Sequence, residues 1–297
     1  MTASGKSALA MAVARARPGI ELVSVDSMQV YREMDIGTAK PTLDERAEVA
    51  HHLIDLADPS EEFTVTRFQQ AFREALAGIE ARGHRAVLVG GTGLYLRAVV
   101  DDLEIPGRYP DVRAELEARA DAEGAPALHA ELAALDPVAS TRMEPSNRRR
   151  VVRALEVTLG SGRPFSSFGP GLDAHPDVPY ALVGLAVPSD VGAIRIADRF
   201  DRLLAAGFVD EVRALAGRPA GLSRTARQAL GYRELLAHVE DDLPLDVAVE
   251  RAVAATRRFA RRQRAWFRRD PRIRWVDATE EPVRVLDAVL RDWPECA

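Results

Sequence analysis

Lysine is nearly missing from this chain. Of its 40 basic residues only two, Lys6 and Lys40, are lysine. A position where charge alone mattered would be expected to carry arginine here. Lysine is a compact point charge on a flexible stem, whereas arginine is a rigid planar fork, and a slot tight against phosphate oxygens is one place that demands the former. Cysteine is scarcer still. The lone Cys296 excludes an internal disulfide and any cysteine-based zinc site. No run approaches 18 apolar residues, so no transmembrane helix is expected, and the first residues carry no signal-peptide pattern. A cytoplasmic, monomeric protein with no membrane partner is the expectation. A net charge of −5 argues against wholesale coating of nucleic acid, although net charge hides local asymmetry.

What is present begins with Lys6 itself. Thr2-Ala3-Ser4-Gly5-Lys6-Ser7 matches the end of the pattern G-x-x-x-x-G-K-[ST], whose backbone N–H groups cradle phosphates while the hydroxyl sits on Mg²⁺. The leading glycine and the strand that should feed it would precede Met1. On that reading the sheet is expected to lack a central strand, with weak diphosphate binding and low stability as consequences. Ala8 to Ala14 reads as the helix such a loop opens. Ile20 to Val25 reads as a strand ending at Asp26-Ser27, and His52 to Leu56 as a short strand. Thr64 to Arg82 has helical period, with Val65, Phe68, Phe72, Leu76 and Ile79 on one face. Arg85 to Val89 reads as a buried strand running into Gly90-Gly91-Thr92-Gly93.

Alternating strands and helices call for an α/β fold with a P-loop-type parallel sheet core, ligands lying at the carboxyl ends of the strands. Asp26 and Thr92 fall at two such ends. Residues 103–180 change character, being helical from Asp111 to Leu135 and from Asn147 to Leu159, then rich in Gly, Ser and Pro. This is read as an inserted, mainly helical domain between core segments 1–102 and 181–297. Tyr180 to Val187 returns as a strand, Asp190 to Arg269 is almost wholly helical, and a last strand (Ile273 to Val276) and helix (Pro282 to Leu290) follow.

Asp26 admits three roles from its position: an Mg²⁺-linked acid of a kinase, a base acting on a substrate N–H or O–H, or a helix cap. Thr92 offers a hydroxyl at a helix start, suited either to an anion or base contact or to ordinary capping. Arginines cluster at Arg148-Arg149-Arg150 with Arg153, and again at Arg257, Arg261, Arg264 and Arg268, whose spacing puts them on one helix face. Residues 257–269 hold no acid at all, the electrostatic footprint expected for nucleic acid. Phe259, Trp266 and Phe267 are expected to point toward the core. Arg195 and Arg199, one turn apart, would suit a forked anion clamp. Read from the residues alone, these features leave open a P-loop kinase of a small metabolite and an RNA-binding protein with a dead phosphate loop.

Taken in order, TASGKS (2–7), SVDSMQVYREMDIGTAKP (24–41), HHLID (51–55), LVGGTGLYLRAV (88–99), NRRRVVRALEV (147–157), RIADRFDRLLAAGFVDEV (195–212), QALGYRE (228–234) and TRRFARRQRAWFR (256–268) resemble the tRNA dimethylallyltransferase family across nearly the whole chain. The resemblance implies transfer of a dimethylallyl group from dimethylallyl diphosphate to N6 of adenosine-37 of tRNA, with Mg²⁺ as cofactor. It implies catalytic roles for Asp26, Lys6, Thr92 and Arg199, and diphosphate contacts from Thr2, Ala3, Ser4, Gly5, Lys6 and Ser7, with Ser7 on the metal. It implies tRNA contacts at Asp26, Ser27, Met28, Gln29, Thr92, Arg113, Arg149, Arg150, Val151, Val152, Arg153, Gln228, Ala229, Leu230, Gly231, Tyr232 and Arg233. His51 matches a family histidine near the substrate, with a structural role equally open. With a single cysteine the eukaryotic zinc finger is not expected, and adenylate isopentenyltransferase, which performs the same alkylation on free AMP or ADP, is the rival beside this resemblance.

Overall fold

The computed structural model describes residues 2–169 and 171–291; Met1, Cys296 and Pro170 of the 160–179 loop lie outside them. In chain order the elements are α1 (Lys6–Ala16), β1 (Ile20–Val25), α2 (Leu43–Glu48), β2 (His51–His52), α3 (Val65–Ala81), β3 (Arg85–Gly90) and α4 (Gly93–Val100). Four helices follow: α5 (Pro110–Glu123), α6 (Ala125–Leu135), α7 (Pro137–Thr141) and α8 (Arg148–Ser161). Then come β4 (Leu182–Ala186), α9 (Ser189–Ala205), α10 (Phe208–Ala216), α11 (Arg224–Arg227), α12 (Tyr232–Glu240), α13 (Leu245–Phe267), β5 (Ile273–Asp277) and α14 (Leu286–Arg291). The chain divides into two compact units, residues 1–100 with 177–297 and residues 101–176.

In the larger unit β1 is central to a three-stranded parallel sheet of order β2-β1-β3. Every residue of β1 is buried, which is why Ile20-Glu21-Leu22-Val23-Ser24-Val25 reads as a nearly continuous apolar run rather than an alternating one. The interruption, Glu21, is paired with Arg82 and hydrogen-bonded to His52 and His84. These partners, with the Arg82 hydrogen bonds foremost, hold its carboxyl down at about 2. β4 and β5 form a second, two-stranded parallel sheet. A parallel sheet lacking a central strand was expected, and the strands do fall into two sheets: the outer edges of β3 and β4 both line a cavity of about 980 Å³, walled by Val87, Val89, Leu182, Val183 and Leu185 with Lys6 also on its wall. No described segment pairs with those two edges, so the sheet is split.

The strand expected at His52 to Leu56 shrinks to His51–His52, because Leu53 and Asp55 take left-handed backbone (φ 63° and 58°) that ends the pairing. The smaller unit is all helix. Its core is Leu116, Leu128, Leu132, Val151, Val152 and Leu155, and the Ala/Glu/Arg stretch is two helices, broken where Gly124 turns at φ 84°.

Candidate active site

The site is built where β1 and β3 end. Between Thr2 and Ser7 the backbone turns through left-handed conformations at Ala3 (φ 54°) and Gly5 (φ 79°) before α1 begins. A non-glycine residue in that region costs about 1–2 kcal/mol, so the turn at Ala3 is strained and held by its surroundings. Gly5 has a second constraint: any side chain there would overlap Pro282. No side chain caps the start of α1, so the first-turn N–H groups, which lack helical acceptors, face the loop. Ser7 is exposed on this turn and Ser4 is buried. This N–H array is suited to an anion.

Lys6 lies partly buried beside the loop. Burial pulls its ammonium down to about 8, opposed by the Asp26 carboxylate and assisted by the Arg199 guanidinium. Burial likewise lowers Arg199 on α9, with Asp26 again opposing. Three residues far apart in sequence, Lys6, Asp26 and Arg199, therefore share one electrostatic neighbourhood: two cations around one carboxylate.

Asp26 follows the last residue of β1. Its Oδ1 accepts the Met28 N–H at 2.9 Å, a local turn that fixes the carboxyl without helix capping. Across the site, Thr92 follows β3 and starts α4. Its Oγ1 accepts from Ser27 N at 3.2 Å and donates to Ser27 Oγ at 3.4 Å, tying the two strand ends together. Gly90 is needed because a side chain would run into the Val25 carbonyl, and Gly93 because one would overlap the Trp266 ring.

Other expected contacts are redistributed. Val151 and Val152 are fully buried in the helical core, and Ala229 and Tyr232 in the larger one; their side chains cannot reach RNA. Arg113 and Arg153 converge on the buried Glu156, and Arg153 also donates to the Pro106 carbonyl. Arg148 is held by Glu117 and Asp121. Arg149 and Arg150 stay exposed, with no carboxylate partner among the described residues. The Gln29 amide is engaged by Ser24 Oγ and the Thr38 and Ala39 carbonyls, whereas Gln228 and Arg233 are exposed, the latter paired with Glu234. Arg195 is not an anion clamp: it donates to the Ala278, Thr279 and Glu280 carbonyls, closing the end of β5. His51 Nδ1 donates to the Val49 carbonyl at 2.7 Å, a structural role.

On α13, Arg257, Arg261 and Arg264 do share a face, and it turns toward α9 and the phosphate-type loop, where they line a small pocket with Thr2, Ala3 and Ser189. Arg264 caps the Val187 carbonyl at 2.8 Å and Arg257 reaches the Ala193 carbonyl at 3.3 Å. The buried face of α13 is Ala248, Ala252, Ala255 and Gln263, with Phe259, Trp266 and Phe267 half-buried.

Three supporting residues escaped the sequence reading. Lys40, its side chain 2% exposed, donates to the Tyr31 carbonyl (2.5 Å), Asp35 (2.7 Å) and Asp55 (2.5 Å). Glu211 on α10 accepts from the amides of Asp35 (2.9 Å), Ile36 (2.7 Å) and Gly37 (3.2 Å) and from the Tyr232 hydroxyl (2.6 Å). Burial and Glu211 together push that phenol far up from its ordinary value. Gln263 bridges Thr2 and Gly91. A polar residue on the apolar face of a helix was the available signal for Gln263; nothing local distinguished Glu211.

The donor set around the loop fits a phosphate-bridged Mg²⁺ better than a protein-caged one. Among the described residues no group of three His, Cys, Asp or Glu converges, while the exposed Ser7 hydroxyl sits at the first turn of α1. No described helix is long and apolar enough to cross a membrane.

Known proteins match nearly the whole chain. Residues 29–270 match the IPP transferase family. A tRNA dimethylallyltransferase of Geobacter metallireducens is 47% identical, the match covering 97% of this chain and 94% of that protein. One from Streptomyces coelicolor is 48% identical, covering 98% and 94%. Among solved structures, the full-length tRNA isopentenylpyrophosphate transferase of Bacillus halodurans superposes with a TM-score of 0.71 at 35% identity, covering 99% of this chain and 93% of that one. A eukaryotic dimethylallyltransferase acting on tRNA superposes with a TM-score of 0.79 at 26% identity, covering 98% and 75%.

Proposed function

The chain belongs to the IPP transferase family and is a prenyltransferase acting on tRNA, and from that premise we propose the chemistry of its site. The reaction moves the dimethylallyl group of dimethylallyl diphosphate onto N6 of adenosine-37, releasing diphosphate. The observation that carries this reading is that Lys6 and Arg199 both feel the Asp26 carboxylate, beside the N-terminus of α1, which no side chain caps. Residues 2–7 are then a P-loop that grips a diphosphate leaving group rather than a nucleotide triphosphate.

As the allylic C1–O bond breaks, its electron pair passes to the diphosphate oxygen. The N–H groups at the start of α1, the Lys6 ammonium and the Arg199 fork stand ready where that charge grows. Preorganised donors of this kind are commonly the largest contribution to barrier lowering. N6 supplies the electron pair of the new C–N bond and its proton passes to Asp26 Oδ2, the oxygen not engaged by Met28. Thr92, fixed against Ser27, braces the acceptor side. Ser7 would hold Mg²⁺ together with the diphosphate, where the ion supplies further neutralisation of the leaving group. To reach Asp26 the adenine must leave its stack, as bases acted on by enzymes do. In the smaller unit Arg149 and Arg150 would contact tRNA phosphates; in the larger, Gln228 and Arg233 are exposed and would contact the anticodon stem-loop.

Label from dimethylallyl diphosphate should enter bulk tRNA and not AMP. Asp26→Ala should abolish transfer while tRNA binding stays within about threefold. Label in AMP alone would replace tRNA by a free nucleotide as acceptor, and undiminished turnover in Asp26→Ala would remove Asp26 as the base. Arg149 and Arg150, exposed and without a carboxylate partner among the described residues, favour tRNA over a free nucleotide.

A further inference from the structure

Gln263 is a buried amide near the C-terminal end of the arginine-rich helix α13. Its Oε1 accepts the Thr2 N–H at 2.8 Å, and its Nε2 donates to the Gly91 carbonyl at 2.7 Å. Because one partner is a donor and the other an acceptor, only one orientation of the amide satisfies both. Gly91 is next to Thr92, which holds Ser27, and Ser27 is next to Asp26. An unbroken run of bonds thus leads from the residue that opens the phosphate loop, through Gln263 and the Gly91-Thr92 turn, to the carboxylate end of β1. A side chain at Gly91 would meet Gln263 Nε2 at 2.5 Å and Lys6 Nζ at 3.9 Å, so this bridge runs directly beside the loop lysine.

We infer that Gln263 is a positioning residue that sets the separation between the diphosphate grip at residues 2–7 and the acceptor side at Asp26 and Thr92. The inference rests on the transfer reaction proposed above. The two ends of an alkyl transfer must be held at near-bonding distance, and small displacements of either are costly in rate. Gln263 touches neither substrate group on this account; it acts by fixing Thr2 and Gly91 on one rigid helix. The same helix carries Arg257, Arg261 and Arg264 against the outer side of the loop, so α13 supports the loop from two directions.

The test uses Gln263→Met, which removes both bonds at similar volume, and Gln263→Glu. A carboxylate still accepts from Thr2 but repels the Gly91 carbonyl. Once protonated it donates to Gly91 and restores the bridge. The charged groups facing it are Lys6 on α1, which would compete for the carboxylate, with Asp26 and Arg199 beyond. Arg264, next in sequence, points away to Val187. Single-turnover transfer at saturating tRNA, normalised to wild type at each pH, should fall about 30-fold in Gln263→Met. Gln263→Glu should fall comparably at pH 8 and recover severalfold by pH 6, while tRNA affinity stays within about threefold in both. Inorganic diphosphate should bind both variants about tenfold more weakly at pH 8.

Wild-type turnover and diphosphate affinity in both variants would overturn the inference. So would a loss confined to tRNA affinity, or a Gln263→Glu defect that ignores pH and merely follows a lowered melting temperature. If the wild-type protein failed to label tRNA, the transfer reading would fall instead, and the diphosphate arm would still decide whether Gln263 shapes the loop.

Discussion

The reading of Lys6 as a diphosphate-gripping ammonium makes a prediction whose signs follow from its neighbours. Burial brings its ionisation to about 8 in the free protein, so above that pH the neutral amine replaces the cation. Diphosphate binding, measured by calorimetry from pH 7 to 9.5 in the presence of Mg²⁺, isolates this step from chemistry and from tRNA. Comparing wild type with Lys6→Met at each pH cancels the ligand's own ionisation. A charge-assisted hydrogen bond to a phosphate contributes about 1.5–3 kcal/mol, or roughly 10- to 100-fold in affinity. That advantage should be constant below pH 8 and shrink about tenfold per pH unit above it, vanishing about one to two units higher, where the bound-state ionisation lies.

Two further variants fix the direction. Asp26 raises the lysine's ionisation and Arg199 lowers it. In an Asp26→Asn background the decline should therefore begin at lower pH, and in an Arg199→Gln background at higher pH, each judged against the same background carrying Lys6→Met. A wild-type advantage that persists undiminished to pH 9.5 would refute burial of the ammonium. Displacements of the wrong sign in the two backgrounds would refute the shared field of Lys6, Asp26 and Arg199.

Lys6→Arg should lose about 100-fold in transfer despite keeping its charge, since the planar fork does not fit where a point charge does; wild-type rates would contradict this. Replacing both Arg149 and Arg150 with Ala should weaken tRNA binding and lower the slope of log affinity against log salt by about 1 to 2, and an unchanged slope would show that these arginines touch no phosphate. Glu211→Ala leaves the amides of residues 35–37 and the Tyr232 hydroxyl without their acceptor. It should cost about 2–4 kcal/mol in urea unfolding. A loss under about 0.5 kcal/mol would mean that solvent replaces the carboxylate there.

Strand ends and helix starts were readable because their signals are local. Val25 closes a buried apolar run before Asp26, and Gly90-Gly91 closes another before Thr92, so position along a parallel sheet placed both residues beside the loop. Arg148 to Arg153 shows where local reading stops. Its charge pattern suggested one basic surface, yet Arg148 and Arg153 face carboxylates of their own unit and the two valines between them fill its core. A helix alternates faces every two or three residues, so a contiguous basic segment can present only part of itself. Arg195 failed for another reason: its partners are backbone carbonyls 83 to 85 residues away, and carbonyls leave no trace in a sequence. Glu211 shares that invisibility, since it serves main-chain amides of a remote loop. Gln263, whose partners are equally remote main-chain groups, at least stands out as a polar residue on the buried face of its helix.

The scarcity of lysine proves more informative than Lys6 alone suggested, because the other lysine is enclosed as well. Lys40 has three acceptors around one ammonium, the Tyr31 carbonyl and the carboxylates of Asp35 and Asp55. Asp55 is shared with Arg46 and is held below its usual range, the Lys40 and Arg46 bonds outweighing burial. Three acceptors converging on one point suit an ammonium, whose three protons radiate from a single nitrogen, better than a flat guanidinium with its donors spread over two edges. The segment so fastened leads from the end of β1 through left-handed turns at Glu33 and Ala39 to α2 and β2, geometry that would relax without a central anchor. In a chain that otherwise uses arginine for positive charge, both lysines stand where a compact cation is enclosed. One faces the reacting diphosphate in the proposed mechanism and the other pins the loop that presents Asp26. Lys40→Arg should thus unsettle the acceptor side as Lys6→Arg unsettles the leaving-group side, and for the same steric reason.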